Sequence, residues 1–296
     1  MAFPEPHIVN PQHPQQHIHT AIVLHGYTVA GATASSSQMI SSLFSSNTSR
    51  GTNLAASLPT WRWVFSTSRE RSSTTFQEDM CARFDVRSLS DPAERQELQV
   101  EGLRESVSYV TGIVERELEI LGNRKGRVFL GGISQGMATG LRTLFCLPGS
   151  TGSRLGGFLG MCGWLPFARE VEDAGRGDGK DEERQRKDTD TFGFCFKKLF
   201  GSDGLDTADA GAAILSAPVF LAHGTDDVWV SVGLGRQAKS VLKETMAMPV
   251  EWVEITGAEN DGHWVKEPEG FDRILQFLET NQTSRGRSSC RVYNKI

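Results

Sequence analysis

Residues 127–147 read RVFLGGISQGMATGLRTLFCL, and they join an apolar run to a segment of helical spacing with almost no loop between them. The first part is typical of a buried strand and the second of a helix. At the junction, residues 132–136 fit the pattern G-x-S-x-G, in which a serine occupies a tight, strained turn between a strand and a helix. The glycines leave room for a sharp turn and for close packing. The pattern predicts that Ser134 presents a nucleophilic hydroxyl at a sheet edge, against the alternative of a bystander serine in a glycine-rich turn.

Similar apolar runs recur along the chain, and segments of helical spacing separate several of them. The predicted strands lie at residues 21–27, 61–68, 127–134, 155–164, 217–225 and 250–256, and the clearest helices at 98–121, 134–147, 232–246 and 271–280. Strands that alternate with helices indicate an α/β fold with a mostly parallel central sheet and helices on both faces.

The composition changes along the chain predict its domain organisation. Residues 1–17 contain four prolines and three histidines and are expected to form a flexible N-terminal arm. Residues 18–281 are expected to form a single domain, interrupted by a charged, solvated insertion at about 168–212. Within the insertion, residues 169–190 carry nine acidic and six basic side chains and offer little that can be buried. Residues 282–296 are expected to form a flexible C-terminal tail.

Charge and composition exclude several classes of protein. The 31 basic and 36 acidic residues give a net charge of −5, so no overall basic field exists to attract nucleic acid. Five scattered cysteines without a CxxC pair favour a reducing compartment and argue against a structural metal site. The N-terminus lacks the basic and apolar regions of a signal peptide, and no uninterrupted apolar stretch approaches about 18 residues. We therefore expect a cytoplasmic or nuclear protein without an integral membrane segment.

A serine hydroxyl is a poor nucleophile at neutral pH, so it needs a base in reach and a carboxylate that orients that base. Four of the seven histidines lie in the N-terminal segment. His25 and His223 end apolar runs in His-Gly pairs, and His25 is expected to shape its loop. His263 follows the last predicted strand and precedes the last helix, so it is the predicted base. The alternative is that His263 is a surface histidine of a loop.

The remaining groups of such a mechanism are a carboxylate and two backbone donors for the oxyanion. The carboxylate is predicted in the loop after the run at 217–225, where spacing alone does not separate Asp226 from Asp227. One oxyanion donor is predicted at the N–H of Gln135, at the start of the helix after the serine. The second is predicted at the N–H of Tyr27, in the loop after the first strand.

Several short motifs spread over residues 20–280 carry a family resemblance. They are Leu24-His25-Gly26, Trp63-Val64-Phe65, Arg83-Phe84-Asp85, the segment 131–136, Gly163-Trp164-Leu165-Pro166, His223-Gly224-x-x-Asp227-x-x-Val230 and Gly262-His263. In this combination the chain resembles the acyl-protein thioesterase and carboxylesterase group of the α/β-hydrolases, often called the phospholipase/carboxylesterase family. The resemblance implies an α/β-hydrolase fold with Ser134, Asp227 and His263 as catalytic residues. It also implies oxyanion donors at Tyr27 and Gln135, and an acyl groove lined by Trp164 and Trp229, for which plain packing is the alternative.

The function implied by this resemblance is hydrolysis of a carboxylic ester or thioester through an acyl-enzyme, without a cofactor or a metal. The expected substrates are S-acylated proteins, acyl thioesters, lysolipids or small esters, and acylated substrates imply transient contact with a membrane surface. Nucleic acid is not an expected partner. Two alternatives stay open on the same fold, namely a catalytically silent ligand-binding or sensor protein and a peptidase.

Overall fold

The computed structural model describes residues 2–13, 16–29, 40–41, 43–147, 154–175 and 208–282. Its central sheet has seven strands in the order β1-β4-β2-β7-β8-β9-β10, and a second sheet has three short strands in the order β3-β6-β5. The strands are β1 (His7–Val9), β2 (His19–Leu24), β3 (Thr28–Val29), β4 (Trp61–Ser66), β5 (Glu70–Ser73), β6 (Glu78–Cys81), β7 (Val128–Ile133), β8 (Gly157–Met161), β9 (Val219–Gly224) and β10 (Val250–Ile255).

The central sheet is parallel apart from its edge strand β1, which pairs antiparallel with β4. Strands buried on both faces need apolar residues at successive positions, and β2 shows why. Ala21 and Val23 pack into the core on one face of the sheet, while Ile22 and Leu24 pack into the core on the other. Because parallel strands end at the same edge, the loops that follow β2, β7, β8, β9 and β10 gather there.

Helices cover both faces of this sheet. They are α1 (Leu54–Ser57), α2 (Gln99–Ile120), α3 (Gln135–Cys146), α4 (Ala168–Gly175), α5 (Ala208–Leu215), α6 (Val232–Ser240), which continues into the π-helical turn Val241–Thr245, and α7 (Glu269–Gln282). Helices α2 and α3 contribute to one core, and α1 and α7 contribute to the other. The predicted α/β architecture is therefore confirmed. Among the helices in these described ranges, none combines the length and the apolar character that crossing a membrane requires.

The N-terminal segment is more ordered than the flexible arm that its composition predicts. Residues 7–9 form strand β1 against β4. The ring of Phe3 stacks on Tyr109, with ring centroids 4.3 Å apart, and the Tyr109 hydroxyl donates to Pro4 O at 2.6 Å. An open strand edge and one partly buried tyrosine ring can bind a segment that has little to bury by itself.

The small sheet of β3, β5 and β6 has no counterpart among the predicted strands. Its residues are mostly polar, as in Glu70–Ser73, so no apolar alternation marks them in the sequence. The turn between β5 and β6 is held by Asp85, whose carboxylate accepts from the Thr74 N–H at 2.8 Å. The hairpin leads directly into Arg83 and Phe84, which take part in the site described below.

The first residues of the predicted charged insertion belong to the folded domain. Helix α4 buries Val171 in the same core as α2 and α3, although its neighbours Arg169 and Glu172 are charged. Single apolar residues at helical spacing can therefore attach a charged segment to the core. The highly charged part from 176 to 207, and the tail at 283–296, lie outside the described residues.

Two histidines of β2 and its following loop make stability depend on pH. Burial lowers the pKa of His19, whose ring stacks on Trp61, from 6.5 to about 4. Burial, together with the charge of Arg83, lowers the pKa of His25 to about 3. The unfolded chain gains a proton on each ring as the pH falls below 6.5, while the native chain does not. The free energy of unfolding therefore decreases between pH 6.5 and 4.

We expect His19→Phe to flatten this dependence by about 1 kcal/mol per pH unit, because the phenyl ring keeps the stack on Trp61 and takes up no proton. Urea unfolding at several pH values between 5 and 7 measures the slope. The exposed His13 provides a matched control, and His13→Gln should leave the slope unchanged. A slope for His19→Phe equal to that of the unaltered chain would contradict the assignment.

Candidate active site

Ser134 occupies the turn between β7 and α3. Its backbone has φ 57° and ψ −127°, a conformation that costs a residue with a side chain on the order of 1–3 kcal/mol. The neighbouring strand holds it there, because the Ser134 N–H donates to Met161 O at 2.8 Å. Close packing also requires Gly136, where a Cβ atom would lie 2.1 Å from Leu24 O. The Ser134 side chain makes no capping hydrogen bond to α3. The predicted strand–turn–helix is thus the local structure of Ser134.

Asp227 and His263 are hydrogen-bonded to each other. Asp227 lies in the loop after β9, and His263 lies between β10 and α7, so 36 residues separate them in sequence. Nδ1 of His263 is 2.7 Å from Oδ2 of Asp227. The carboxylate is fully buried, and the imidazole is mostly buried. Asp226, which spacing alone left as an equal candidate, instead accepts from the Gly257 N–H at 2.9 Å.

The protonation of this pair follows from its hydrogen bonds. Burial alone would raise the pKa of Asp227, but hydrogen bonds from His223 and His263 outweigh it and hold the pKa well below its usual range. A carboxylate without a proton can only accept, so the His263 Nδ1 carries the hydrogen of this bond. In the neutral ring, Nε2 then keeps its lone pair. This is the tautomer that a general base needs.

The three predicted catalytic residues follow parallel strands at one edge of the sheet, and the end of β8 links their loops. Ser134 donates to Met161 O, and the next residue, Cys162, donates its N–H to Ala222 O of β9 at 2.9 Å. The Cys162 Sγ lies 3.7 Å from Trp264 O, and within 4.8 Å of ligand atoms of Asp227 and His263. The strand order therefore gathers side chains that lie far apart in the sequence.

Gln135 begins helix α3, and its side chain is fixed by the segment after β6. Its Oε1 accepts from the Arg83 N–H at 2.8 Å, and its Nε2 donates to Phe84 O at 2.6 Å. The backbone N–H of Gln135 belongs to the first turn of the helix, where amides have no intrahelical acceptor and the helix dipole favours negative charge. The structure therefore gives this amide a fixed place beside Ser134.

The loop after β2 packs directly against Ser134. A Cβ atom on Gly26 would lie 2.8 Å from the Ser134 Cβ. His25 holds the loop, since its Nδ1 donates to Gly26 O at 2.6 Å and its Nε2 accepts from the Ser68 N–H at 2.9 Å. Both ring nitrogens are thus used by the backbone, and His25 shapes the loop. Tyr27 follows, with its hydroxyl donating to Phe84 O at 3.3 Å, and burial raises the pKa of this hydroxyl to about 12.

The two tryptophans predicted to line an acyl groove have different environments. Trp164 is buried in the core and meets Phe84 edge to face, with ring centroids 6.0 Å apart. Trp229 is 44% exposed, and its neighbour Val228 is 70% exposed, so this loop presents an apolar surface beside Asp227. Trp164 therefore packs within the core, whereas the indole of Trp229 reaches solvent.

The structure shows two polar residues at the site that had no predicted catalytic role. His223 contacts the carboxylate of Asp227, with its Nε2 3.2 Å from Oδ2. Arg83 is completely buried, and its Nε donates to His25 O at 2.9 Å, beside the loop of Tyr27. Burial lowers the pKa of Arg83 to about 9. Both residues belong to motifs of the family resemblance, which could have marked them as candidates. Only the tertiary structure shows which groups they contact.

Within the described ranges, one group of side chains has the composition of a metal site, namely Cys162, Asp227 and His263. Two of the three ligand atoms, however, are already joined by the hydrogen bond between Asp227 and His263. Burial raises the pKa of the Cys162 thiol to about 12, so the thiolate that metals prefer is disfavoured. This chemistry suits a proton-transfer pair better than a metal centre.

Comparison with known proteins agrees with this architecture. The sequence pattern of the phospholipase/carboxylesterase family matches residues 4–181, more than half of the chain and inclusive of Ser134. Acyl-protein thioesterase 1 of Yarrowia lipolytica is 26% identical over 210 residues, which cover 71% of this chain and 72% of the relative.

Solved structures share the fold at lower identity. Acyl-protein thioesterase 2 of Zea mays superposes with a TM-score of 0.62 at 22% identity, covering 94% of this chain and 99% of that one. SOBER1 of Arabidopsis thaliana has a TM-score of 0.59 at 21% identity, covering 89% and 98%. The extent of the family match and the strand order with its serine turn lead to one conclusion. The chain belongs to the phospholipase/carboxylesterase family of α/β-hydrolases.

Proposed function

We propose that this chain hydrolyses carboxylic esters and thioesters through an acyl-enzyme on Ser134, with His263 as the base and Asp227 as its partner. The observation that carries the proposal is the 2.7 Å hydrogen bond between His263 and a fully buried, ionised Asp227, at the sheet edge that also presents Ser134. Membership of an ester- and thioester-hydrolase family supports the same chemistry.

In the first half of the reaction, Ser134 Oγ attacks the acyl carbonyl and His263 Nε2 takes its proton. The imidazolium that forms is stabilised by Asp227, because the carboxylate lies against Nδ1 and stays ionised. His263 then gives the proton to the departing alkoxide or thiolate. In the second half, water attacks the acyl-enzyme with His263 again as base, and Ser134 is restored. This sequence needs no cofactor.

The tetrahedral intermediate carries an oxyanion that needs fixed donors. We assign these to the backbone N–H groups of Gln135 and Tyr27. Gln135 is supported by its position in the first turn of α3 and by a side chain locked on Arg83 and Phe84. Tyr27 is supported by the packing of its loop against Ser134. Donors that are in place before the reaction cost no reorganisation when charge develops.

The substrate class that we propose is a long-chain acyl thioester or ester, including the acyl groups of S-acylated proteins. Two observations support it. The relative from Yarrowia lipolytica is an acyl-protein thioesterase, and the exposed Val228 and Trp229 offer an apolar surface next to Asp227. An acyl chain laid on this surface would remove apolar area from water. Trp164 is proposed to shape the floor of the same region from within the core.

We place this activity in the cytoplasm, with the nucleus as the alternative. The described cysteines Cys81, Cys146 and Cys162 are all free thiols, which fits a reducing compartment. Acylated proteins on the cytoplasmic surface of membranes would then be within reach of the enzyme.

Replacing Ser134 by alanine tests the nucleophile. We expect Ser134→Ala to lower kcat on p-nitrophenyl and acyl-thioester substrates by about 10⁴-fold, with the fold retained. Labelling by a fluorophosphonate probe should disappear in the same variant. Ser216→Ala, at an exposed serine, is the matched control and should label and turn over normally. If Ser134→Ala kept more than a tenth of the activity, Ser134 would not be the nucleophile. If the unaltered chain neither turned over substrate nor reacted with the probe, the ligand-binding alternative would gain support.

The two neighbouring aspartates allow a paired test of the acid. We expect Asp227→Asn to lower kcat by about 10⁴-fold, because an amide can present a donor to His263 Nδ1 and favour the wrong tautomer. Asp226→Asn is the matched control, since Asp226 accepts only from the Gly257 N–H among the described hydrogen bonds, and its activity should stay within about threefold. Steady-state kinetics at pH 8 measure both. Equal losses in the two variants would refute the assignment.

Chain-length dependence tests the exposed indole. We expect Trp229→Ala to raise KM for substrates of 12 to 16 acyl carbons by about tenfold, because burial of a large apolar side chain is worth about 1.5–3 kcal/mol. KM for acetyl esters should not change. Ile120→Ala removes an exposed apolar side chain from α2 and serves as the control. A KM increase that is the same for all chain lengths would show that Trp229 does not contact the acyl chain.

A further inference from the structure

We propose that His223 is a positioning residue, which fixes the carboxylate of Asp227 for its hydrogen bond with His263. The inference rests on the function proposed above and adds a second histidine to the catalytic carboxylate. His223 is the next to last residue of β9, and its side chain is completely enclosed at the sheet edge. It therefore reaches Asp227 from the strand itself, whereas His263 reaches it from a loop.

The hydrogen bonding of His223 determines which of its nitrogens carries a proton. Its Nε2 lies 2.8 Å from Val230 O and 3.2 Å from Asp227 Oδ2. Both oxygens can only accept, because one is a carbonyl oxygen and the other belongs to an ionised carboxylate. Nε2 must therefore be protonated, and its hydrogen is shared between the two acceptors. The imidazole thus ties Asp227 to the backbone at Val230.

The carboxylate of Asp227 has its hydrogen-bonding capacity filled by four donors. Oδ1 accepts from the N–H groups of Trp229 and Val230, both at 2.9 Å. Oδ2 accepts from His263 Nδ1 and from His223 Nε2. A carboxylate has about four lone-pair positions, so rotation about its side-chain bonds would break several hydrogen bonds at once. Oδ2 is consequently held at one point, which is the point that His263 contacts.

The other nitrogen of His223 indicates that the ring is kept for this contact and not for packing. Nδ1 is buried and has no hydrogen-bond partner within the described part of the chain. A buried polar atom without a partner is unfavourable, and an apolar side chain of similar size would avoid this cost. The backbone of α6 covers the atom, since a Cβ atom on Gly235 would lie 2.4 Å from it. The hydrogen bond that Nε2 of His223 donates to Asp227 offsets this cost.

The donor also affects the charge that His263 experiences. A hydrogen bond to Oδ2 withdraws negative charge from this oxygen, so the carboxylate attracts a proton on His263 less strongly. Without His223, protonated His263 would be favoured and the base would be lost at a higher pH. The other titratable or charged groups around the pair are Asp226 and Cys162 on the loops, Glu254 on β10 and Arg236 on α6, which is paired with Glu254.

Two substitutions at position 223 separate positioning from packing. His223→Leu removes the donor, and His223→Gln can replace it, because a glutamine Nε2 reaches about as far as the histidine Nε2. We expect His223→Leu to lower kcat by about 10- to 100-fold, as is usual when an outer hydrogen-bond partner is removed. KM should stay within about twofold. The acidic limb of the kcat/KM profile should move to higher pH by about half a unit to one unit.

Rescue is the part of the result that a purely structural role would not produce. In His223→Gln we expect kcat within about threefold of the unaltered enzyme and an acidic limb that returns close to its original position. Gly235→Ala provides a second variant that keeps the imidazole but pushes it away from α6, and alanine is a better helix former than glycine. Gly235→Ala should shift the acidic limb of the kcat/KM profile in the same direction as His223→Leu. Thermal unfolding of each variant checks that the domain is intact.

The outcomes also separate this proposal from the proposed function. If Ser134→Ala turned over substrate like the unaltered chain, the Ser134 mechanism itself would fail. If Ser134 is required but His223→Leu and Gly235→Ala leave kcat and the acidic limb unchanged, only the role of His223 is refuted. The positioning role of His223 is also refuted if His223→Leu and Gly235→Ala lower kcat only in proportion to their loss of thermal stability. In that case the acidic limb of the kcat/KM profile would stay in place. Should His223→Leu not fold, Gly235→Ala and His223→Gln decide the question by the same readouts.

Discussion

Helix α3 begins in direct contact with the end of strand β2, and the geometry of the site depends on this contact. A Cβ atom at Gly136 would lie 2.1 Å from Leu24 O, and one at Gly26 would lie 2.8 Å from the Ser134 Cβ. The serine turn and the loop after β2 approach each other only because both positions lack a side chain. The same approach brings together the two segments that carry the proposed oxyanion donors. Close packing against the end of β2 and the hydrogen bond to Met161 O hold the backbone of Ser134 in its strained conformation.

The central sheet was predictable because burial on both faces leaves a strong trace in the sequence. In β2 every position is buried, and residues 21–24 appear in the sequence as a continuous apolar run. Elements that are held by backbone hydrogen bonds or by a single buried side chain show no such apolar run in the sequence. Strand β1 is a short edge strand whose partner supplies the backbone hydrogen bonds, and β5 and β6 are polar hairpin strands. Helix α4 is attached to the core by Val171, which charged neighbours conceal in the sequence.

At the site, sequence spacing was enough to predict which loops carry the candidate residues. It was not enough to predict the hydrogen bonds between their side chains. Ser134 and His263 each had a unique position relative to a predicted strand, so fold logic alone selected them. Asp226 and Asp227 are adjacent in one loop, and only the hydrogen bonds to Gly257 and to His263 distinguish them. The contact of His223 with Asp227 depends on a side-chain conformation at the end of β9, and no periodicity encodes it.

The loop that carries Asp227 joins the proposed catalytic pair to the proposed acyl-chain surface through one carboxylate. The backbone N–H of Trp229 donates to Asp227 Oδ1, while the indole of the same residue is exposed beside the site. The hydrogen bonds that fix the charge behind His263 therefore also fix the apolar surface proposed to receive an acyl chain. A carboxylate buried with four donors cannot move without displacing this loop. The proposed acyl-chain recognition and the proposed proton transfer are consequently coupled, because the backbone of Trp229 and the ring of His263 are both hydrogen-bonded to Asp227.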